Sequence, residues 1–189
     1  MKQPRPCIGV SPWAALFAGC LIYFSDGKTL LSLTLPVVVH EFGHLLCLRL
    51  LDCRINALQW ELSGLCICYS GDPGRLGHAA AALAGPIAGV LYAWTAARFG
   101  PSGELSAGIS LLLSAFNMIP AQPLDGGRAA EALIGCRKAN IISITAATVT
   151  AALGLLLFVH RKGAALLIAG LLLFAAQFRQ GISSAMSPD

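Results

Sequence analysis

The segment His40-Glu41-Phe42-Gly43-His44 holds the residues of this chain best suited to chemistry. On a helix, residues four apart lie on one face, roughly 6 Å apart along the axis, so two imidazoles at that spacing can hold one ion. Glu41 follows His40 and occupies the adjoining part of the helix surface. From there a carboxylate can take a proton from a metal-activated water. Independent placement of residues in these proportions gives on the order of 0.002 expected H-E-x-x-H matches, so chance is a poor explanation. The motif sits inside an apolar run, where His and Glu are costly and need a functional or structural reason. The plain structural reading is a polar trio hydrogen-bonding between helices. His78 and His160 fall at the ends of apolar runs and read as interfacial residues rather than ligands.

A catalytic zinc site takes a third protein ligand and leaves its fourth position open. Of the nine acidic residues, Glu41 and Asp125 have distinctly apolar or motif-like surroundings. Asp125 lies in Asn117-Met-Ile-Pro-Ala-Gln-Pro-Leu-Asp-Gly-Gly127. Pro120 and Pro123 break a helix there, and Gly126 and Gly127 let backbone approach closely, which suits a bent segment presenting Asp125 to a buried ion. The same residues also read as a simple exit turn, because Asp-Gly is common in turns.

The elements that must position these groups are apolar. The chain of 189 residues is 56% hydrophobic and 12% charged, with mean hydropathy +0.72, and lacks the polar surface of a soluble domain. A single integral membrane domain over 1–189 is expected. Apolar stretches at 11–25, 29–51, 76–99, 104–119, 139–159 and 163–178 predict six spans. Several are shorter than the ~20 residues of a full crossing and imply tilted or broken helices. Lys2 and Arg5 precede an apolar run as in a secretory signal, and Phe17-Ala-Gly-Cys20 faintly resembles a lipoprotein cleavage site. The run continues through Leu21-Ile-Tyr-Phe24, so a retained first span is the simpler expectation.

A formal charge of +4, scattered along the chain, excludes nucleic-acid binding as an expectation and reads as orientation signals. With six spans, Lys2, Arg5, Arg49, Arg54, Arg75, Arg128, Arg137, Lys138 and Arg179 share one side, against Lys28, Arg98, Arg161 and Lys162 on the other. That asymmetry places both termini in the cytoplasm. The second and fourth spans then run toward the cytoplasm, so that His40, His44 and Asp125 can meet at similar depth. The seven cysteines form no paired extracellular framework, and Cys66-x-Cys68 alone is a weak metal signal.

Between the second and third spans, Leu58, Trp60 and Leu62 alternate with Gln59, Glu61 and Ser63, and Leu65, Ile67 and Tyr69 alternate with cysteines. The pattern predicts a β-hairpin turning at Ser63-Gly64. One reading is a membrane-hugging loop; another is a small sheet whose open edge pairs with an extended peptide.

His40-Glu41-x-x-His44 and Asn117-x-x-Pro120-x-x-Pro123-Leu124-Asp125-Gly126 together resemble the site-2 protease family of intramembrane zinc metalloproteases. The compact layout without a PDZ domain is most similar to the bacterial sporulation-protease branch. The resemblance implies an all-α polytopic membrane protein of about six transmembrane helices, with the hairpin after the second. It implies one zinc ion per chain on His40, His44 and Asp125, Glu41 as general base, and Asn117 as a polar residue positioning substrate. Its substrates would be transmembrane proteins cut within or beside the lipid bilayer, in a bacterial cell membrane, with any regulatory membrane partners unidentified. Gly85-Pro86-Ile-Ala-Gly89 resembles the family's Gly-Pro turn but has Gly89 where an Asn is often found. No CBS-like regulatory domain is expected after the sixth span. The rival classes are a non-enzymatic membrane metal sensor or carrier and an inactive family member that binds substrate helices. A carrier would use Glu41 as a ligand, whereas catalysis needs it as a base beside the metal.

Overall fold

The apolar stretches fold as helices, and local sequence marks where several begin. The computed structural model describes residues 7–61, 64–160, 163–164 and 166–175. Helix α1 (Pro12–Phe24) starts with Pro12 in its first turn and with the Ser11 hydroxyl accepting from the Ala14 amide at 3.2 Å. Helix α2 (Gly27–Leu50) is capped by Asp26, which accepts from the amides of Lys28 and Thr29 and from the Thr29 hydroxyl. The bond from the Thr29 hydroxyl, with that from its amide, holds the Asp26 carboxyl below its usual range. Then follow α3 (Gly74–Ala96), α4 (Gly100–Asn117), α5 (Asp125–Ile134), α6 (Cys136–Val159) and the short apolar α7 (Leu166–Ala175).

Among the described residues three helices, α2, α3 and α6, are long and apolar enough to cross a membrane. They mark an integral membrane chain. Among the described residues the count of six spans is not confirmed. Helix α1 has 13 residues and rises only about 20 Å, short of a ~30 Å hydrocarbon core. Helix α4 reaches 18 residues but carries Glu104 and buries Ser106, Ser110 and Ser114.

The chain divides into two compact units, residues 1–115 and 116–189. In the first, α2 packs on α3 through small residues. A Cβ on Gly43 would stand 2.5 Å from the Ala84 carbonyl oxygen and 2.8 Å from the Ala88 Cβ, so glycine is what allows the two backbones this close. Helix α3 buries Ala79, Ala81, Ala82, Gly85, Gly89, Ala93 and Ala96. Large apolar side chains point outward instead, among them Val38, Phe42 and Leu46 on α2 and Ile87, Leu91 and Trp94 on α3. Small residues inside and large ones outside is the arrangement lipid favours, since tails solvate Leu and Ile as well as a core does. The Ser110 hydroxyl of α4 donates to the Gly89 carbonyl of α3 at 2.8 Å, and the Tyr92 and Ser106 hydroxyls pair at 2.7 Å.

A three-stranded sheet of order β1-β2-β3 completes this unit, where the alternation suggested only a hairpin. Strand β2 (Arg54–Glu61) pairs antiparallel with β3 (Gly64–Ser70), with Leu58 opposite Ile67 and Trp60 opposite Leu65. Leu62 and Ser63, in the expected turn, lie outside the described residues. Strand β1 (Cys7–Val10) adds in parallel to the other edge of β2. At the far end of β3 the Tyr69 hydroxyl shares a hydrogen bond of 2.8 Å with His78 Nδ1 of α3.

In the second unit α5 lies against α6, and Ala121, Ala147 and Leu173 form the centre of its apolar core. The Gln122 amide donates to the Ser143 hydroxyl of α6 at 2.7 Å, fixing the segment that leads into α5.

Candidate metal centre

His40 and His44 lie one turn apart on α2 and are both buried, 3% and 8% exposed, although His is costly in such a setting. Pro36, one turn earlier in the same helix, is also fully buried. The two Nε2 atoms stand 3.3 Å apart, with the rings edge-on at 79°. Two nitrogens each ~2.0–2.1 Å from one tetrahedral ion are about 3.3–3.4 Å apart, so the pair already has the spacing of zinc ligands.

His44 Nδ1 lies 2.8 Å from the carbonyl oxygen of Ala81 on α3. A carbonyl only accepts, so Nδ1 carries the proton and donates, and Nε2 keeps its lone pair for a metal. A backbone acceptor behind a ligating imidazole is the arrangement that fixes tautomer and ring direction. Gly85 makes this approach possible: a Cβ there would lie 2.5 Å from His44 Cε1 and closer still to Nε2. Pro86 does not form the turn expected from Gly85-Pro86; both residues lie within α3.

Gly85→Ala should therefore drive His44 off its acceptor. The expected outcome is lost zinc binding in equilibrium dialysis, with destabilisation of about 1–3 kcal/mol from overpacking. Unchanged zinc affinity in this variant would show that the α3 backbone does not set His44.

Asp125 is the first residue of α5 and is 7% exposed. Its carboxylate thus stands at a helix N-terminus, where the macrodipole favours negative charge. Gly126 and Gly127 are required by packing: a Cβ on Gly126 would stand 2.6 Å from the Ile119 carbonyl oxygen, and one on Gly127 2.6 Å from the Ala121 carbonyl carbon. The Asp-Gly-Gly segment opens α5 rather than forming an exit turn, and the bent stretch 118–124, which holds Pro120 and Pro123, leads into it from the end of α4. Asn117 is the last residue of α4, three residues before Pro120.

His40 and His44 in the first unit and Asp125 in the second are all buried, and each offers one ligand atom. Two imidazole nitrogens and one carboxylate make a donor set that fits zinc. Glu41 is outside this group. It accepts a hydrogen bond from the Leu65 amide of β3 at 3.4 Å, a contact with no signal in the motif itself. His78 and His160 are not part of the group, nor are Cys66 and Cys68, which are free thiols. At Gly89 a side chain would meet the hydroxyls of Ser110 and Ser114 on α4, so the space beside it is filled from the neighbouring helix.

No protein-family model matches the chain. No curated protein matches it either. Among solved structures, the site-2 protease from Methanocaldococcus jannaschii is similar at 23% sequence identity and a TM-score of 0.66, over 95% of this chain and 92% of that one. With nearly the whole of both chains superposed, this protein has the fold of that site-2 protease.

Proposed function

We propose that this chain is an intramembrane zinc metalloprotease of the site-2 protease family, hydrolysing peptide bonds within or near transmembrane segments of membrane proteins. The observation that carries the reading is the buried His40–His44 pair, at zinc-ligand spacing, inside an apolar helix of this fold. His40, His44 and Asp125 would hold one zinc ion per chain. When bound, zinc supplies an activated water and polarises the scissile carbonyl.

The chain's own residues do the rest. Glu41, beside but outside the donor set, takes the proton from the attacking water and delivers it to the leaving amine. Ala81 keeps His44 in the ligating tautomer. Asn117 is assigned to substrate positioning. A substrate helix has its carbonyls satisfied internally, so it must unwind before attack, and helix-breaking residues near the cut should favour cleavage. The unwound segment would add to the outer edge of β3, because β1 covers the far edge of β2.

Co-expression with candidate single-span proteins tests the reading. Fragments should form with the wild type and be missing with Glu41→Gln; no fragments from any candidate with a zinc-loaded wild type would favour a metal sensor or an inactive substrate binder.

On a six-span layout the Lys/Arg asymmetry would put both termini in the cytoplasm. Cys68 is the reporter of choice: it is exposed, whereas Cys53 is 2% exposed and shielded from reagents. An impermeant thiol reagent should label Cys68 in inverted vesicles and leave it untouched in intact cells. Labelling in intact cells would reverse the orientation.

A further inference from the structure

Hydroxyls line the seam between α3 and α4. Ser106, Ser110 and Ser114 recur every four residues, so they share one face of α4, and all three are buried. Two of them tie the helices together, Ser106 through the Tyr92 hydroxyl and Ser110 through the Gly89 carbonyl. The third does not. Among the described residues the Ser114 hydroxyl has no hydrogen-bond partner, although it is only 2% exposed.

A hydroxyl in an apolar helix ordinarily has a simple way to avoid this. Ser32, Thr145 and Thr150 each turn theirs back onto the carbonyl one turn earlier in their own helix, at 2.8–2.9 Å. The Ser114 hydroxyl is aimed across at α3 instead, where a Cβ on Gly89 would collide with it. A buried donor left unmade is costly, and in a native protein it marks a place where a water, a ligand or a reacting group completes the bond.

Gly89 shows which place this is. It lies one turn from Gly85 on the same face of α3, about 5–6 Å away between Cβ positions. The His44 imidazole covers Gly85 as the Ser114 hydroxyl covers Gly89. Ser114 Oγ therefore stands at most about 11 Å from His44 Nε2, roughly three residues of extended chain. A peptide unwound beside the candidate metal position brings main-chain carbonyls into that interval. Those carbonyls have lost their partners within the helix and need donors.

We propose that Ser114 is a further substrate-binding residue, its hydroxyl donating to a main-chain carbonyl of the unwound substrate segment beside the scissile bond. The role rests on the protease reading above. Such a donor meets backbone, which every substrate has, and so adds affinity without selecting a sequence.

The test uses full-length protein in lipid nanodiscs and a fluorescent synthetic peptide of about 20 apolar residues interrupted centrally by Gly-Pro. Binding is measured on zinc-loaded Glu41→Gln protein, so that cleavage does not intervene, with and without Ser114→Ala. Kd should rise roughly tenfold when the hydroxyl is removed, with zinc content unchanged. Melting separates this from a structural role. Loss of an unpartnered buried hydroxyl should leave Tm equal to or above that of the parent, the pattern of a group kept for function. Ser110→Ala, which gives up the bond to Gly89, should lower Tm and leave Kd unchanged. A peptide that does not bind, or that binds equally with and without the Ser114 hydroxyl, overturns the proposal; a lowered Tm beside equal binding would mark the hydroxyl as the holder of an internal water. Cleavage by the wild type is scored separately. A peptide bound with the expected Ser114 dependence and never cut overturns the protease reading, while the Ser114 contact stands.

Discussion

Glu41→Gln should hold close to one zinc ion per chain and yet cleave substrate slower by roughly 10²- to 10⁴-fold, the usual contribution of a positioned general base. The side chain keeps its length and its Oε1 acceptor, so the contact with the Leu65 amide survives the change. What goes is the ability to take up a proton. Because Glu41 lies outside the three-residue donor group, metal content should not follow activity. Zinc measured by atomic absorption on purified protein, beside fragment formation on a co-reconstituted single-span substrate, separates the two quantities. Parallel loss of zinc and activity would make Glu41 a ligand and favour a metal carrier over a protease.

Asp125→Ala and His44→Ala should each lower zinc affinity by more than about 100-fold, since outer-shell changes alone commonly cost 10- to 100-fold and a direct ligand exceeds them. The two variants fail for different reasons. Removing His44 takes away a nitrogen whose tautomer Ala81 has fixed, leaving His40 without the partner 3.3 Å away. Removing Asp125 takes the only carboxylate from a buried group and leaves two neutral imidazoles facing the cation. Competition with a chromophoric chelator reads both affinities directly. Full zinc occupancy in Asp125→Ala would move the third ligand elsewhere and leave the Asp-Gly-Gly segment a purely structural helix start.

The sequence by itself determined what depends on short-range periodicity. The four-residue spacing of His40 and His44 puts both rings on one face of any helix, and long apolar runs mark where helices form, even with Pro36 inside α2 and Pro86 inside α3. Alternation over Leu58–Trp60 and Leu65–Tyr69 likewise marked β2 and β3. Asn117 through Gly126 stood out by its prolines and glycines, but its conformation did not: α5 begins at Asp125 because Gly126 and Gly127 pack on residues 118–122, a contact with no local sign. The same holds for Pro86, which reads as a turn in sequence and lies inside α3. Only tertiary structure decided that β1, over forty residues from β2, joins the sheet in parallel. It alone set the Ala81 carbonyl behind His44 and the Leu65 amide against Glu41. These are contacts between backbone groups and distant side chains. Every residue carries the same amide and carbonyl, so residue type cannot say which of them a catalytic side chain will meet.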